Sequence, residues 1–107
     1  MADITTPSFR KIISKIGKPD VIFTEFIACD GLVSKAGRPK LLPKLDFSKA
    51  EKPIVAQFFG SKPENFTIAA RMAKKAGFQG IDINMGCPSK TIGKQGAGAV
   101  LMTNPAL

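Results

Sequence analysis

Residues 81–98 read IDINMGCPSKTIGKQGAG and decide the fold. Apolar Ile81, Ile83 and Met85 alternate with polar or small residues, which predicts a β-strand. Pro88 disfavours the α region for Cys87, so the strand should break there, and a glycine-rich run follows. A thiol is therefore expected on a turn at the carboxyl end of a strand. Ligands and catalytic groups gather at that end in α/β barrels and open sheets.

The chain outward from this segment predicts alternating helices and strands. Thr6 can cap a helix whose apolar residues follow the i, i+3, i+4, i+7 spacing and which Gly17 ends. A capping-box pattern at Ser61–Glu64 announces a second helix, which should end at Gly77. The predicted strands are 21–26, 54–59 and 81–85, and Asn104-Pro105 signals the start of a further helix. This alternation indicates parallel βα units.

Two polar residues lie in the apolar strands, and a basic segment separates those strands. Glu25 needs a partner, and a structural bond to a neighbouring strand or loop is favoured over a substrate role. Gln57, the only polar residue of its strand, must also find a hydrogen bond. Residues 27–52 are predicted to be a long loop over the carboxyl ends of the strands, with a turn of helix at Lys40–Leu45.

Composition narrows the classes of partner. Among 107 residues, 16 Lys and Arg against 8 Asp and Glu give a net charge of +8. This charge fits either a solvated basic surface or a phosphate-bearing partner such as nucleic acid. No apolar run reaches the roughly 18 residues of a membrane helix, and no signal peptide is visible. With no His and two distant cysteines, we expect no metal site.

DINMGCPSK with the trailing GAGA resembles the tRNA-dihydrouridine synthases, a family of flavoenzymes. The resemblance continues upstream through PIVAQFFGSKPENF and VIFTEF to MADITTPSFR, so it covers essentially the whole chain. It implies an α/β fold, namely a partial (β/α)₈ TIM barrel truncated to roughly its first four βα units. Residues 1–107 would be the N-terminal part of an FMN-binding catalytic domain, without the rest of the barrel or the C-terminal helical RNA-binding domain.

The resemblance also implies an activity. We expect reduction of uridine to 5,6-dihydrouridine in tRNA, with FMN as cofactor and NADPH or NADH as reductant, in the cytoplasm. Cys29 and Cys87 should then be reduced thiols. Two alternatives stay open: a flavin-dependent dehydrogenase of a free pyrimidine base, and a non-catalytic RNA-binding fragment.

Site residues follow from the same resemblance. Cys87 is expected to be the proton donor, unless it is a small residue that fills a tight turn. Asn84 and Lys90 are expected to bind substrate, although Asn84 could instead cap the turn. For FMN the expected contacts are Gln57 and the backbone of Met1 and Ala2, although Gln57 could be a satisfied core amide. Phosphate contacts are expected from Lys35, Arg38, Lys40 and Lys90.

Two other motifs are given structural interpretations. Gly93, Gly96 and Gly98 form GxxGxG, the reverse of the dinucleotide fingerprint, so a phosphate-cradling loop is not expected. Asp82 and Cys29 are expected to be structural, since no flanking motif recommends Cys29 and a free cysteine behaves as a small buried hydrophobe.

Overall fold

The computed structural model describes residues 2–107, and Met1 lies outside the described part. The helices are α1 (Pro7–Ile16), α2 (Cys29–Val33), α3 (Arg38–Leu41), α4 (Pro63–Ala76) and α5 (Lys90–Gly93). The strands are β1 (Ile22–Phe23), β2 (Ile27–Ala28), β3 (Ile54–Phe59) and β4 (Gly80–Ile83). Turns of 3₁₀ helix cover Leu42–Leu45, Lys49–Glu51 and Gly98–Thr103.

All strand pairs are parallel and centre on β3. β4 pairs with β3 from Val55 to Phe58, so it occupies one edge of that strand. β1 pairs at Ile54 and Val55, and β2 pairs at Phe58 and Phe59. Because β4 already fills one edge, β1 and β2 must share the other. They form one interrupted strand, so the sheet has three positions with β3 in the middle.

A bulge at residues 24–26 interrupts that edge strand. Ile22 is opposite Ile54, but Ile27 is opposite Phe58, so three residues oppose two. Both isoleucines are buried, although an odd separation of five would place them on opposite faces of a regular strand. The Thr24 hydroxyl accepts a hydrogen bond from the Gln57 N–H at 3.0 Å, within the bulge. The single strand predicted over 21–26 is therefore wrong in its bounds.

One face of the sheet forms the hydrophobic core. Ile54, Ala56 and Phe58 are completely buried on this face, and Ala69 and Ala73 of α4 belong to the same buried cluster. Small alanine side chains let a helix approach a sheet closely. The helix ends at Gly77, whose φ of 91° is the left-handed conformation expected of a C-terminal glycine.

The other face of the sheet is partly exposed, and we call it the open face. Its members are defined by alternation along each strand and by the register across strands. They are Phe23, Val55, Gln57, Phe59, Asp82 and Asn84. Phe23 is 45% exposed, whereas Val55, Gln57 and Phe59 are half-buried. Parallel sheets usually have both faces covered, so this face is an unusual surface.

Helix α1 agrees with its prediction in bounds but not in burial. Thr6 caps its first turn and Gly17 ends it. The predicted apolar face, however, is largely in solvent: Ile12 is 55% exposed and Ile16 81%. The one buried residue of the helix is Arg10.

Two local predictions need correction. Ser61 does not cap α4, because its hydroxyl donates to the Gln95 carbonyl and the N-cap is Lys62. The predicted loop of residues 27–52 contains α2, α3 and two 3₁₀ turns, and its middle part lies beside Met72 and Lys75 of α4. It thus adds to the helix layer. At Asn104, where the start of a helix is predicted, a turn is closed by the Leu107 N–H, and the helix itself stays a prediction.

Candidate active site at the Cys87 turn

The turn that carries Cys87 follows β4 directly. The Asn84 N–H still donates to the Phe58 carbonyl at 2.8 Å, which extends the ladder with β3 by one residue. The Asn84 side chain then folds back, and its Oδ1 accepts from the Cys87 N–H at 3.0 Å. Cys87 is half-buried. The sequence prediction of a thiol on a turn at the carboxyl end of a strand is confirmed.

Gly98 lets the glycine-rich run return onto this turn. Its φ is 65°, a conformation that side chains disfavour, and a Cβ at this position would lie 2.5 Å from the Cys87 carbonyl oxygen. The next residue, Ala99, donates its N–H to that same carbonyl at 3.0 Å. The backbone of Cys87 is therefore held from both sides, by Asn84 and by Ala99.

Backbone amides of the glycine-rich run are already in use. Those of residues 94–97 donate to carbonyls within residues 90–93, and that of Ala99 donates to Cys87. A phosphate-cradling loop needs such amides to point at the ligand. The hydrogen bonds thus agree with the sequence argument against a nucleotide loop.

A cleft of about 450 Å³ lies beside the thiol. Cys87, Lys90 and Lys94 line it together with backbone of the glycine-rich run. Lys90 is exposed and begins the short helix α5. The structure thus brings together two predicted site residues, Cys87 and Lys90, at one surface.

Side-chain hydrogen bonds connect the open face to the Cys87 turn. The Gln57 Nε2 donates to Asp82 Oδ2 at 2.5 Å, and the Asn84 Nδ2 donates to Gln57 Oε1 at 3.2 Å. Gln57 and Asp82 are register partners on β3 and β4, which explains their contact. Asn84 joins this pair to the Cys87 backbone. Gln57 and Asn84, predicted for cofactor and substrate, therefore touch each other.

The segment that precedes α1 lies against the buried carboxylate of Glu25. Asp3 has a φ of 57°, and its N–H donates to Glu25 Oε1 at 3.5 Å. The Lys44 ammonium lies 2.5 Å from Glu25 and 3.7 Å from Asp3. The hydrogen bond to Glu25 raises the pKa of Lys44. The prediction that Glu25 has a structural partner is confirmed. Ala2 is half-buried, and the predicted contact at Met1 lies outside the described residues.

The four residues predicted to contact phosphate lie on two separate segments of the chain. The Arg38 Nε donates to the Leu32 carbonyl at 2.8 Å, and Nη2 donates to that of Val33 at 3.3 Å. Arg38 therefore caps α2 with part of its hydrogen-bonding capacity, although the residue is exposed. Lys35 and Lys40 are exposed on the segment that joins the helix layer, whereas Lys90 lies beside the thiol.

Sequence reasoning missed three contacts. Ser48 and Glu51 form a capping box that was not recognised, and Glu51 also pairs with Arg10. The S-x-x-E spacing was the available signal. The hydrogen bond from Gln57 to Asp82 carried no local signal.

Cys29 is completely buried, and burial together with the nearby Asp30 charge raises its pKa to about 12. This burial is consistent with the prediction that Cys29 is a structural residue.

The family description "Dihydrouridine synthase (Dus)" matches residues 1–107. The chain belongs to the dihydrouridine synthase family. It is 40% identical, over all its 107 residues, to the "Probable tRNA-dihydrouridine synthase 2" of Bacillus subtilis (strain 168). It is 40% identical over 105 residues, or 98% of its length, to the "Probable tRNA-dihydrouridine synthase" of Staphylococcus aureus (strain COL).

The chain spans about a third of the length of those curated relatives, 33% and 32% respectively. Its parallel α/β sheet is compatible with part of a TIM barrel. Within residues 2–107, no helix is long and apolar enough to cross a membrane. The same residues contain no group of three or more His, Cys, Asp or Glu side chains arranged to hold a metal ion.

Proposed function

We propose that this chain is the N-terminal part of the barrel of a cytoplasmic enzyme that reduces uridine to 5,6-dihydrouridine in tRNA. FMN is the cofactor, and NADPH or NADH is the reductant. The observation that carries the proposal is the family match over all 107 residues. The position of Cys87, on a turn at the carboxyl end of β4, supports it because catalytic groups gather at that edge.

The residues present fit the ring edge of a flavin. Gln57 lies half-buried on the open face, and its amide keeps one N–H and one oxygen lone pair beyond the bonds to Asp82 and Asn84. Half-exposed Phe23 and Phe59 on the same face suit a flat aromatic ring. We propose that Gln57 holds the ring edge together with the backbone of Met1 and Ala2. When bound and reduced, FMN would supply the hydride that C6 of uracil receives.

Cys87 would supply the proton. C6 is conjugated to the C4 carbonyl, so hydride addition at C6 leaves the enolate of that carbonyl, and C5 must then be protonated. The Sγ–H bond of Cys87 would break, its proton would form the new C5–H bond, and solvent would reprotonate the thiolate. A positioned acid of this kind is worth about 10²–10⁴-fold in rate. Asn84 and Ala99 fix the Cys87 backbone at both its N–H and its carbonyl, which is the restraint such a donor needs.

Substrate binding is assigned to Asn84 and Lys90. Asn84 keeps one N–H and one lone pair beyond its bonds to Gln57 and Cys87, enough to contact a uracil edge. Lys90 is exposed in the cleft beside Cys87, where its ammonium can meet a tRNA phosphate. The target uridine must leave its stack to reach a flavin, as in other base-modifying enzymes.

The test compares two cysteine substitutions in the full-length protein, meaning this chain with whatever sequence adjoins it. Cys87→Ala should leave FMN binding and NADPH oxidation intact and lower dihydrouridine formation by about 10²–10⁴-fold. Cys29→Ala is the matched control, because Cys29 is buried in the core. Dihydrouridine is measured in tRNA from a strain that lacks the enzyme.

Different results would select the alternatives. Near-normal dihydrouridine formation by Cys87→Ala would remove Cys87 from the mechanism. Reduction of a free pyrimidine base, with tRNA left unmodified, would favour the small-molecule dehydrogenase. Binding of tRNA without bound flavin or turnover would favour the non-catalytic RNA-binding protein.

A further inference from the structure

The side-chain amides of Gln57 and Asn84 lie between one group that can only accept hydrogen bonds and one that can only donate them. At one end is Asp82, whose ionised carboxylate only accepts hydrogen bonds. At the other end is the backbone N–H of Cys87, which only donates. A chain of amides between a fixed acceptor and a fixed donor has a single orientation that satisfies every member.

That orientation is the one observed. Because Asp82 accepts, the Gln57 amide must turn its Nε2 toward it, at 2.5 Å. Gln57 Oε1 then faces Asn84 and accepts from Nδ2 at 3.2 Å. Asn84 Oδ1 is left to accept from the Cys87 N–H at 3.0 Å. If the Gln57 amide turned over, an oxygen would face the carboxylate and an N–H would face the Asn84 N–H.

We propose that Asp82 is a positioning residue that fixes the order of donor and acceptor that Gln57 presents on the open face. The unused N–H of Gln57 lies on the atom next to Asp82, and the unused lone pair lies on the atom next to Asn84. A ring edge with a carbonyl beside an N–H can pair with this amide in one direction only. Asp82 thereby acts on ligand orientation through Gln57, without touching the ligand.

This inference rests on the proposed function, because it takes the ring held at Gln57 to be FMN. Asp82→Asn keeps the size of the side chain and can still accept from Gln57, but it no longer excludes the reversed amide. We expect FMN affinity in the full-length protein to fall by about five- to tenfold, the order expected when a charge-assisted hydrogen bond is replaced by a neutral one. The melting temperature of the protein without FMN should change little.

A double substitution separates positioning from support of the fold. In the variant that combines Asp82→Asn with Gln57→Glu, the amide at position 82 can donate to the carboxylate at position 57. The second oxygen of that carboxylate can accept from Asn84 Nδ2. Total charge and every internal hydrogen bond are thus retained, but position 57 no longer offers a donor. We expect the melting temperature to match that of the unsubstituted protein, whereas FMN affinity stays lowered by about tenfold or more.

Asp20→Asn provides the matched control, because Asp20 is exposed and the chemical change is the same. The inference is overturned if Asp82→Asn binds FMN as tightly as the unsubstituted protein does. It is also overturned if the double variant binds FMN as tightly as the unsubstituted protein does, since Asp82 would then only support the fold. Failure of the unsubstituted full-length protein to bind FMN at all would instead refute the proposed function.

Discussion

Arg10 and Glu51 form an ion pair of 2.8 Å in which both side chains are almost completely buried. The same guanidinium donates to the Thr5 carbonyl at 2.7 Å and to the Asp46 carbonyl at 2.6 Å. Glu51 also accepts from the N–H and hydroxyl of Ser48. One arginine therefore ties α1 to the segment before it and to the segment that leads into β3.

Removal of Arg10 should be costly, because it leaves the Glu51 charge buried with fewer partners. We expect Arg10→Met to lower the free energy of unfolding of the full-length protein by about 3–5 kcal/mol, the usual cost of breaking a buried pair. Denaturant unfolding measures this. The control is Lys11→Met on the exposed side of α1, which should change stability by less than about 0.5 kcal/mol. Equal effects of the two substitutions would mean that the pair does not stabilise the fold.

The same pair predicts a pH dependence. Burial alone would raise the pKa of Glu51, but hydrogen bonds from Ser48 and Arg10 and the Arg10 charge hold it below the ordinary 4.5. The unfolded state therefore binds a proton more readily, so this stabilisation is present above about pH 4.5 and is lost as pH falls through the folded-state pKa. Glu51→Gln should flatten the decline of stability below pH 4.5. An unchanged acid profile in that variant would contradict the assignment.

The two cysteines should differ in reactivity toward an alkylating reagent. Cys29 is completely buried with a pKa of about 12, so little thiolate forms and the reagent cannot reach it. Cys87 is half-buried at a cleft. We expect one rapidly modified thiol in the folded protein, mapped to Cys87 by mass spectrometry, and a second only after denaturation. Modification of Cys29 at a comparable rate would show that the core around it opens readily.

Lys90 should contribute to binding of tRNA through phosphate contact. Each contact of this kind steepens the dependence of log affinity on log salt by about one unit. We therefore expect Lys90→Ala to reduce that slope by about one in the full-length protein. Lys75→Ala, on the exposed C-terminal part of α4, is the matched control and should leave the slope unchanged. Indistinguishable slopes for the two variants would make Lys90 a solubilising charge.

The 107-residue chain by itself should be marginally stable and prone to associate. Ile12, Ile16 and Phe23 are 55%, 81% and 45% exposed, and β4 forms an open sheet edge. We expect concentration-dependent association in size-exclusion chromatography, an irreversible melt, and weak or absent FMN binding. A reversible, cooperative melt of a monomer with stoichiometric FMN would contradict this prediction.

Long periodic patterns made much of the fold predictable from the sequence. The bounds of α1, β3 and α4 follow the apolar spacing and the terminal glycines closely, because those signals are local. The bulge at residues 24–26 was not predictable, since it is defined by register against β3. Helix α2 has five residues, too few for a periodic signal.

The candidate site was likewise predictable only where the signal in the sequence is local. The Cys87 turn could be predicted because Pro88 acts on its own neighbour. The hydrogen bond from Gln57 to Asp82 could not, because it depends on which residues of β3 and β4 lie side by side. Arg10 was missed for a related reason, since its partner Glu51 is 41 positions away.

The bulge also has a consequence for recombining this protein with its relatives. By adding a residue to the edge strand, it carries Glu25 to the place where Lys44 and the Asp3 backbone meet it. Those three positions belong to segments far apart in sequence but form one structural unit. A chimaera with its crossover between residues 26 and 43 would take Glu25 from one parent and Lys44 from the other. Crossovers after residue 51 keep the unit whole, leave the buried Arg10–Glu51 pair within one parent, and are the better places to join two parents.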